Sequence, residues 1–506
     1  MPNPVDLEPD DLVPHDEPLL DRWAFDAWRR TRAGTNARRI SDAIHQLLSE
    51  RESRQRKRKQ NVAKTFEALV DAVVANLLRV QLDPSQRASI EDEGRGWIRI
   101  PLSSRRLKST KRSRYDASPM PLGALMTRRE TGRLDSPGII EAMADLSLIY
   151  LDKAPRHEAA GRASAIKCRE QLLELIRTHS PRLDELELLI CVTAPDGKSI
   201  EPEHVELREP APEKPSWRYV KRRARWQVVE YDDTEQTDRW RADLRLINEG
   251  LGAADIRFDA DAVTAASAED ALAIQSGIAI QERSLKRIFN NGRWDHGGRL
   301  YGGFWQGMKR QWRSGLRING HPVASLDFNA MFLQLLYAVK AGKQAPLEGD
   351  LYEGIDPPEG WPDDLERRLA MRDAIKRNLN AMLFPKSPDK PHRLVQGTKA
   401  ALSLDVTGAV LEDRIRAKHP EIAAWLRLPG IGFELMFHES EIMASVLRLC
   451  LQSGTVVLPL HDGLLVGEDG YESANGAMKD AFRNYFEKGL EARVSGFTGS
   501  RPHVVR

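Results

Sequence analysis

Leu458-Pro-Leu-His461-Asp462-Gly463-Leu-Leu-Val466 is the stretch that decides how this chain reads. Two apolar runs flank a short polar tip, the pattern of a hydrophobic hairpin that carries a carboxylate at its turn. A second Asp stands in a comparable place upstream. Val323-Ala-Ser-Leu-Asp327-Phe-Asn-Ala-Met-Phe332 opens as a buried strand ending on Asp327, and Ala330 to Tyr337 follows as a buried helix. Each Asp has a plain alternative. Asp327 at a strand-to-helix turn could be an N-cap, and His461-Asp462-Gly463 could be no more than a turn.

The segment between them raises both above that. A helix is expected from Pro362 to Phe384, opened by Pro362-Asp-Asp364 and closed by Pro385. Arg372, Lys376, Asn380 and Phe384 recur at every fourth position, so successive members share a face where cations could meet a triphosphate and an aromatic a base or sugar. A solvated basic face is the alternative, since Arg367, Arg368 and Arg377 lie on the same helix. Two carboxylates opposite two cations suit phosphoryl transfer by two Mg²⁺ ions about 3.5–4 Å apart. Mg²⁺ takes hard oxygen ligands and keeps several waters, so Asp327, Asp462 and the substrate phosphates can suffice.

As a set, these residues resemble the DNA polymerase I-like (family A) polymerases and the related single-subunit phage-type RNA polymerases. The first family motif places an Asp after a hydrophobic strand, matched by Asp327. The second, Arg-x3-Lys with Tyr eight residues on, is matched by Arg372, Lys376 and Phe384. The third, His-Asp-Glu in the DNA enzymes and His-Asp-Ser in the RNA enzymes, is matched by His461 and Asp462. Gly297-Gly298-Arg299-Leu300-Tyr301 stands where the DNA enzymes carry a Thr-Gly-Arg-Leu-Ser-type segment.

The likeness covers roughly 293–494. It implies a palm sheet bearing both Asp residues and a helical fingers element. By that likeness Arg372 and Lys376 grip the triphosphate, with Lys376 also placed to protonate departing pyrophosphate. Asn380 and Phe384 belong to the nucleotide site, and Arg299, His461 and Gln396 to the primer-template site. Asp327, Asp462 and Phe328 are the expected metal contacts for two Mg²⁺ ions, with Mn²⁺ as the alternative.

The departures are informative. Gly463 replaces the Glu of the DNA enzymes, as the RNA enzymes tolerate. Phe384 replaces Tyr, and Pro385 the usual Gly. Phe332, five residues after Asp327, stands where DNA polymerase I-like enzymes hold Glu and reverse transcriptases an aromatic. A ring there would collide with a ribose 2′-hydroxyl, which favours deoxynucleotides; a plain core Phe is the alternative. Val395-Gln396-Gly397-Thr398 resembles a segment whose Gln reaches the minor groove, but His438-Glu-Ser-Glu-Ile-Met443 opens a rival helix closer to the hairpin.

Composition bounds the remainder. The chain has 506 residues, 41% of them hydrophobic, and a net charge of +2, enough for several domains with ample core. Basic clusters lie between Arg29 and Lys64 and between Arg105 and Arg114, suitable for a phosphate backbone or simply solvated. Three cysteines, Cys168, Cys191 and Cys450, have no metal-ligand spacing. No run is long enough to span a bilayer, and the acidic, Pro-rich start is unlike a signal peptide, so a cytoplasmic protein is expected. No Walker-type phosphate loop and no proofreading carboxylate set stands out.

The expected fold is α+β: a mainly helical N-terminal region, then a polymerase-like palm of antiparallel sheet with helical fingers. A loose tail is expected over 1–21, a helical region over 22–194 with a winged-helix-like set of helices at 139–151 and 163–176, and a linker over 195–216. A helical thumb-like region at 217–292 includes a helix at 265–289, and palm and fingers occupy 293–506. The expected activity is primer extension with dNTPs on a DNA template, RNA being the alternative template. Primer or RNA synthesis by the same palm, or a DNA-binding replication protein with an inactive palm, are the competing readings.

Overall fold

The computed structural model describes residues 25–51, 60–82, 97–100, 138–152, 164–189, 192–193, 199–210, 226–267, 282–353, 365–385, 388–402, 406–486, 489–498 and 501–503, with isolated positions between 267 and 282. The tail at 1–21, the basic cluster at 105–114 and most of that at 51–59 lie outside these residues. The described residues form two apolar cores, one within 25–186 and one within 205–490.

The first core is built from β1 (Arg29–Thr31), α1 (Asn36–Arg51), α2 (Gln60–Leu82), β2 (Ile98–Ile100), α3 (Ile139–Asp145), β3 (Ile149–Asp152), β4 (Ser164–Cys168), α4 (Glu170–His179) and β5 (Leu186–Leu188). Ile40, Ile44 and Leu48 of α1 pack against Leu69, Val73 and Leu77 of α2, each pair of rows one helical turn apart. The helices expected over 139–151 and 163–176 are corrected here: α3 ends at Asp145 and α4 begins at Glu170. Residues 149–152 and 164–168 pair as antiparallel strands, with β2 on the far side of β4; alternate burial along Ser164, Ile166 and Cys168 marks a half-buried strand. The expected basic patch is partly internal: Arg38 pairs with Asp42 at 2.7 Å and with Glu67, and Arg29 with Glu282.

Further along come β6 (Val192–Thr193), β7 (Ser199–Ile200), β8 (Val205–Pro210), β9 (Trp226–Val228), α5 (Glu235–Ala253), β10 (Ile256–Phe258), β11 (Lys286–Phe289) and β12 (Gly297–Tyr301). Two expectations fail in this stretch. The described part of the expected linker contains β8, which pairs parallel to β11 in a four-stranded sheet ordered β12-β11-β8-β9, with Val205 and Leu207 buried. The end of the helix expected at 265–289 is strand β11. Apolar side chains there face a sheet neighbour some 80 positions away, which no local period reveals.

The larger sheet joins β10, β13 (Leu316–Ile318), β14 (His321–Phe328), β16 (Gly463–Gly467) and β15 (Val457–Leu460) in that order, with β17 (Val494–Thr498) beside β14 and β18 (Arg501–His503) beside β17. Its pairings are all antiparallel. Asn319-Gly320, both with positive φ, makes the tight turn from β13 to β14. Around the sheet pack α6 (Met331–Leu335), α7 (Leu365–Leu383), α8 (Thr398–Leu402), α9 (Gly408–Lys418), α10 (Ile431–Gln452) and α11 (Tyr471–Tyr485). The chain is thus a mixed helix and sheet fold. Among the described residues no helix is long and apolar enough to cross a membrane.

Candidate active site

Alternation along β14 decides which way Asp327 points. Ala324, Leu326 and Phe328 are buried in the core, so Val323, Ser325 and Asp327 fall on the opposite face, where Asp327 is exposed. Burying Phe328 alone contributes roughly 2 kcal/mol to holding that register, and a one-residue slip would turn Asp327 inward.

The neighbouring strand brings the second carboxylate alongside. Leu460 pairs with Gly463, leaving His461-Asp462 as a two-residue turn, and Gly463 is in register with Asp327. The Phe328 amide donates to the Asp462 carbonyl at 3.0 Å, pinning the turn to β14. A Cβ on Gly463 would stand 2.9 Å from Asp327 Oδ1 and 2.8 Å from the Leu326 carbonyl, so a side chain is excluded where the DNA enzymes carry Glu. His461 adopts φ of 59°, a left-handed conformation that His rarely takes and that commonly marks functional turns.

Both Asp residues open into a cleft of about 1750 Å³. Lys376 and Asn380 of α7 face them from its wall, and Phe332, Arg299 and His461 line it as well. Of the stripe expected on α7, Lys376 and Asn380 line the cleft, beside a buried face of Met371, Ala374, Ile375, Asn378, Leu379, Met382 and Leu383. Lys376 is exposed and Asn380 half-buried. Asn378 anchors the helix: its amide donates to Thr398 Oγ1 at 2.7 Å and its carbonyl oxygen accepts from the Val395 amide at 3.0 Å.

Arg372 differs from expectation. Its Nε donates to Asp350 at 2.5 Å and its guanidinium lies 5.2 Å from the centre of the Tyr352 ring. Asp350 therefore already occupies the cation expected to grip phosphate. Tyr352 is 3% exposed and lines the cleft. Burial first, then the charges of Asp462, Asp350 and Asp327, push its phenol above the ordinary range. Sequence gave no signal for Tyr352, because it sits in an irregular connection without periodicity.

Arg299 is held in a buried pair. Its Nε and one terminal nitrogen donate to the two carboxylate oxygens of Glu439 at 2.9 and 2.8 Å, and its guanidinium lies 5.5 Å from the centre of the Phe332 ring. Burial works against the Arg299 charge, but Glu439 outweighs it and raises the pKa. Burial, with Asp462 adding repulsion, pushes the Glu439 carboxyl up to about 7 against the pull of Arg299. Gly298 makes the pairing reachable: a Cβ there would stand 2.8 Å from Ser440 Oγ of α10. Of the two rival segments, α10 is therefore the one that packs against β12 and holds Arg299.

Three expected residues lie elsewhere. Gln396 is exposed before α8, and its carbonyl accepts from Arg377 at 3.1 Å. Phe384 packs between Phe332 and Phe433, with ring centres 6.1 and 5.5 Å away, and its ring closes over Gly432; it backs Phe332 rather than lining the cleft. The Phe328 side chain is 1% exposed beside Phe482, so any metal contact at that position would have to come from its main-chain carbonyl.

Two carboxylates, one on a strand and one on the neighbouring hairpin turn, at an open cleft fit Mg²⁺, which leaves its remaining positions to water and phosphate oxygens. Among the described residues no group of three or more His, Cys, Asp or Glu is arranged as a self-sufficient metal cage.

No family model matches the chain, and no curated protein matches it. Among solved structures it is similar to the POL domain of Pol1 from M. smegmatis in complex with DNA primer-template and dNTP. That match has a TM-score of 0.29 and 12% identity, over 92% of this chain and 78% of that one. A likeness of that size is too slight to build on.

Proposed function

We propose that the chain is a template-directed nucleotidyl transferase, extending a primer with deoxynucleotides on nucleic acid. The observation that carries this is the pairing of Asp327 with Gly463, which puts Asp327 at the end of β14 beside the turn bearing Asp462, both lining the cleft that Lys376 and Asn380 also line. Asp327 and Asp462 would hold the divalent cations, with the Phe328 carbonyl as a further ligand. Bound there, Mg²⁺ or Mn²⁺ would stabilise the attacking and leaving oxygens.

This chain's own residues would do the remaining work. Lys376 offers a mobile cation to the triphosphate and is the group to protonate the departing pyrophosphate. Arg372 would join it by exchanging Asp350 for phosphate, a swap between two anionic partners of one guanidinium. Arg299 and His461 would line the primer terminus. Phe332, packed beside Arg299 and Phe384 and lining the cleft, is the ring that a ribose 2′-hydroxyl would strike. Gly463 favours a second reading, RNA or primer synthesis, because the phage-type RNA enzymes also lack the Glu.

Primer extension with the purified chain, offering dNTPs and NTPs separately with Mg²⁺ or Mn²⁺, tests these readings. The expected result is dNTP incorporation that falls at least about a thousandfold in Asp327→Ala and in Asp462→Ala, with unchanged circular dichroism. Incorporation of NTPs alone would favour the second reading. Nucleic-acid binding without incorporation would leave an inactive palm.

A further inference from the structure

We infer that Tyr352 is a positioning residue of the nucleotide site, its ring being the surface along which the Arg372 guanidinium passes from Asp350 to the triphosphate. The role rests on the reading of the cleft as a nucleotidyl-transfer site. One turn presents both partners of the guanidinium. Arg372 Nε donates to one carboxylate oxygen of Asp350 at 2.5 Å, the Tyr352 amide donates to the other at 2.7 Å, and the Tyr352 ring centre lies 5.2 Å from the guanidinium. Tyr352 lines the same cleft as Lys376, and the charges of Asp462 and Asp327 both act on its phenol. The ring thus reaches from the Arg372–Asp350 pair toward the two cleft carboxylates.

The turn is held from outside, which makes the ring a fixed element. Lys418 donates to the Asp350 carbonyl at 3.3 Å, His419 Nε2 to the Leu351 carbonyl at 2.9 Å and Arg493 to the Gly349 carbonyl at 2.6 Å. A guanidinium that leaves one anion for another gives up a charge-assisted bond before it makes the next. Over an aromatic face it keeps an attractive contact throughout. Tyr352 is almost fully buried, so that contact is shielded from water and stronger for it. Asp350 retains the Tyr352 amide as a donor once Arg372 departs, and the exchange leaves no carboxylate bare.

Nucleotide KM and kcat, measured by primer extension on the full chain with Mg²⁺, read this role. Tyr352→Phe keeps the ring and should stay within about threefold of the parent in both constants. Tyr352→Leu should raise KM roughly tenfold, the scale of a shielded cation–π contact, with kcat changed less. In an Arg372→Gln background the same Tyr352→Leu change should add nothing to KM, because the ring then has no guanidinium to guide. A ring that only packs the turn would give effects that multiply.

Should Tyr352→Leu fail to fold, Tyr352→Phe carrying successive ring fluorines decides, since fluorine drains the negative face of the ring at nearly constant volume. KM should climb with each fluorine, and a flat series overturns the inference. With a working parent enzyme, a parent-like KM in Tyr352→Leu, a Tyr352→Phe variant as weak as Tyr352→Leu, or multiplying effects in the double variant each overturn it as well. A parent chain that incorporates no nucleotide fails the nucleotidyl-transfer reading itself, and the role of Tyr352 falls with it.

Discussion

Single residues carry most of the chemistry, and some pay for it in conformation. His461 occupies a left-handed turn position that suits Gly or Asn better. His461→Gly should therefore melt at or above the parent temperature, while His461→Val should lose about 1–2 kcal/mol. A pair of thermal melts checks this, and a Gly variant several degrees less stable would mean that the imidazole contacts, not the backbone, hold the turn. Phe332 makes a different prediction. Phe332→Ala should narrow the preference for dNTPs over NTPs by roughly tenfold or more. Its ring is 8% exposed and packed, so the same change costs about 3 kcal/mol of stability. The ratio of the two incorporation efficiencies, measured within one variant, is the proper readout; an unchanged ratio assigns Phe332 to the core alone.

At the level of elements, local signals were legible and distant pairings were not. The hairpin around His461-Asp462, the strand ending at Asp327 and the described part of helix α7 all follow from periodicity, turn chemistry and the closing Pro385; the expected helix opening at 362–364 lies outside the described residues. Strands β8 and β11 did not read as strands, because their partners come from far along the chain and a Pro- and Glu-rich context masks the buried Val205 and Leu207. Side-chain partners were equally hidden: nothing local foretells that Arg372 meets Asp350 or that Arg299 meets Glu439.

One tie between elements has a measurable weight. Trp305, 0% exposed, donates its indole N–H to the Pro459 carbonyl. Trp305→Phe removes that bond and some volume, and should cost roughly 1–3 kcal/mol while slowing incorporation. Chemical denaturation beside single-turnover kinetics checks both, and full-speed incorporation would dissociate this contact from the hairpin's placement.

Across the whole molecule, the two cores meet at Glu282. Arg29 pairs with its carboxylate, and Arg79 approaches it at 3.1 Å. Burial opposes the Glu282 charge, but the two guanidinium groups prevail and hold the carboxyl below its ordinary range. A carboxyl with a depressed folded pKa contributes stability above the ordinary carboxylate range, and that contribution is lost as pH falls through the folded value. Glu282→Gln should therefore cost about 3 kcal/mol at pH 7 and separate the calorimetric unfolding of the two cores. Once the pH has fallen below the folded value, the parent and the variant should converge; a difference that persists in acid would show that packing, not charge, joins them.

Pro459 carries one more consequence. It lies in the outermost strand of the large sheet on the β15 side, it has no amide hydrogen to give, and an indole already occupies its oxygen. A passing extended peptide finds neither donor nor acceptor at that point, so this border resists ribbon-like self-association even in concentrated solution.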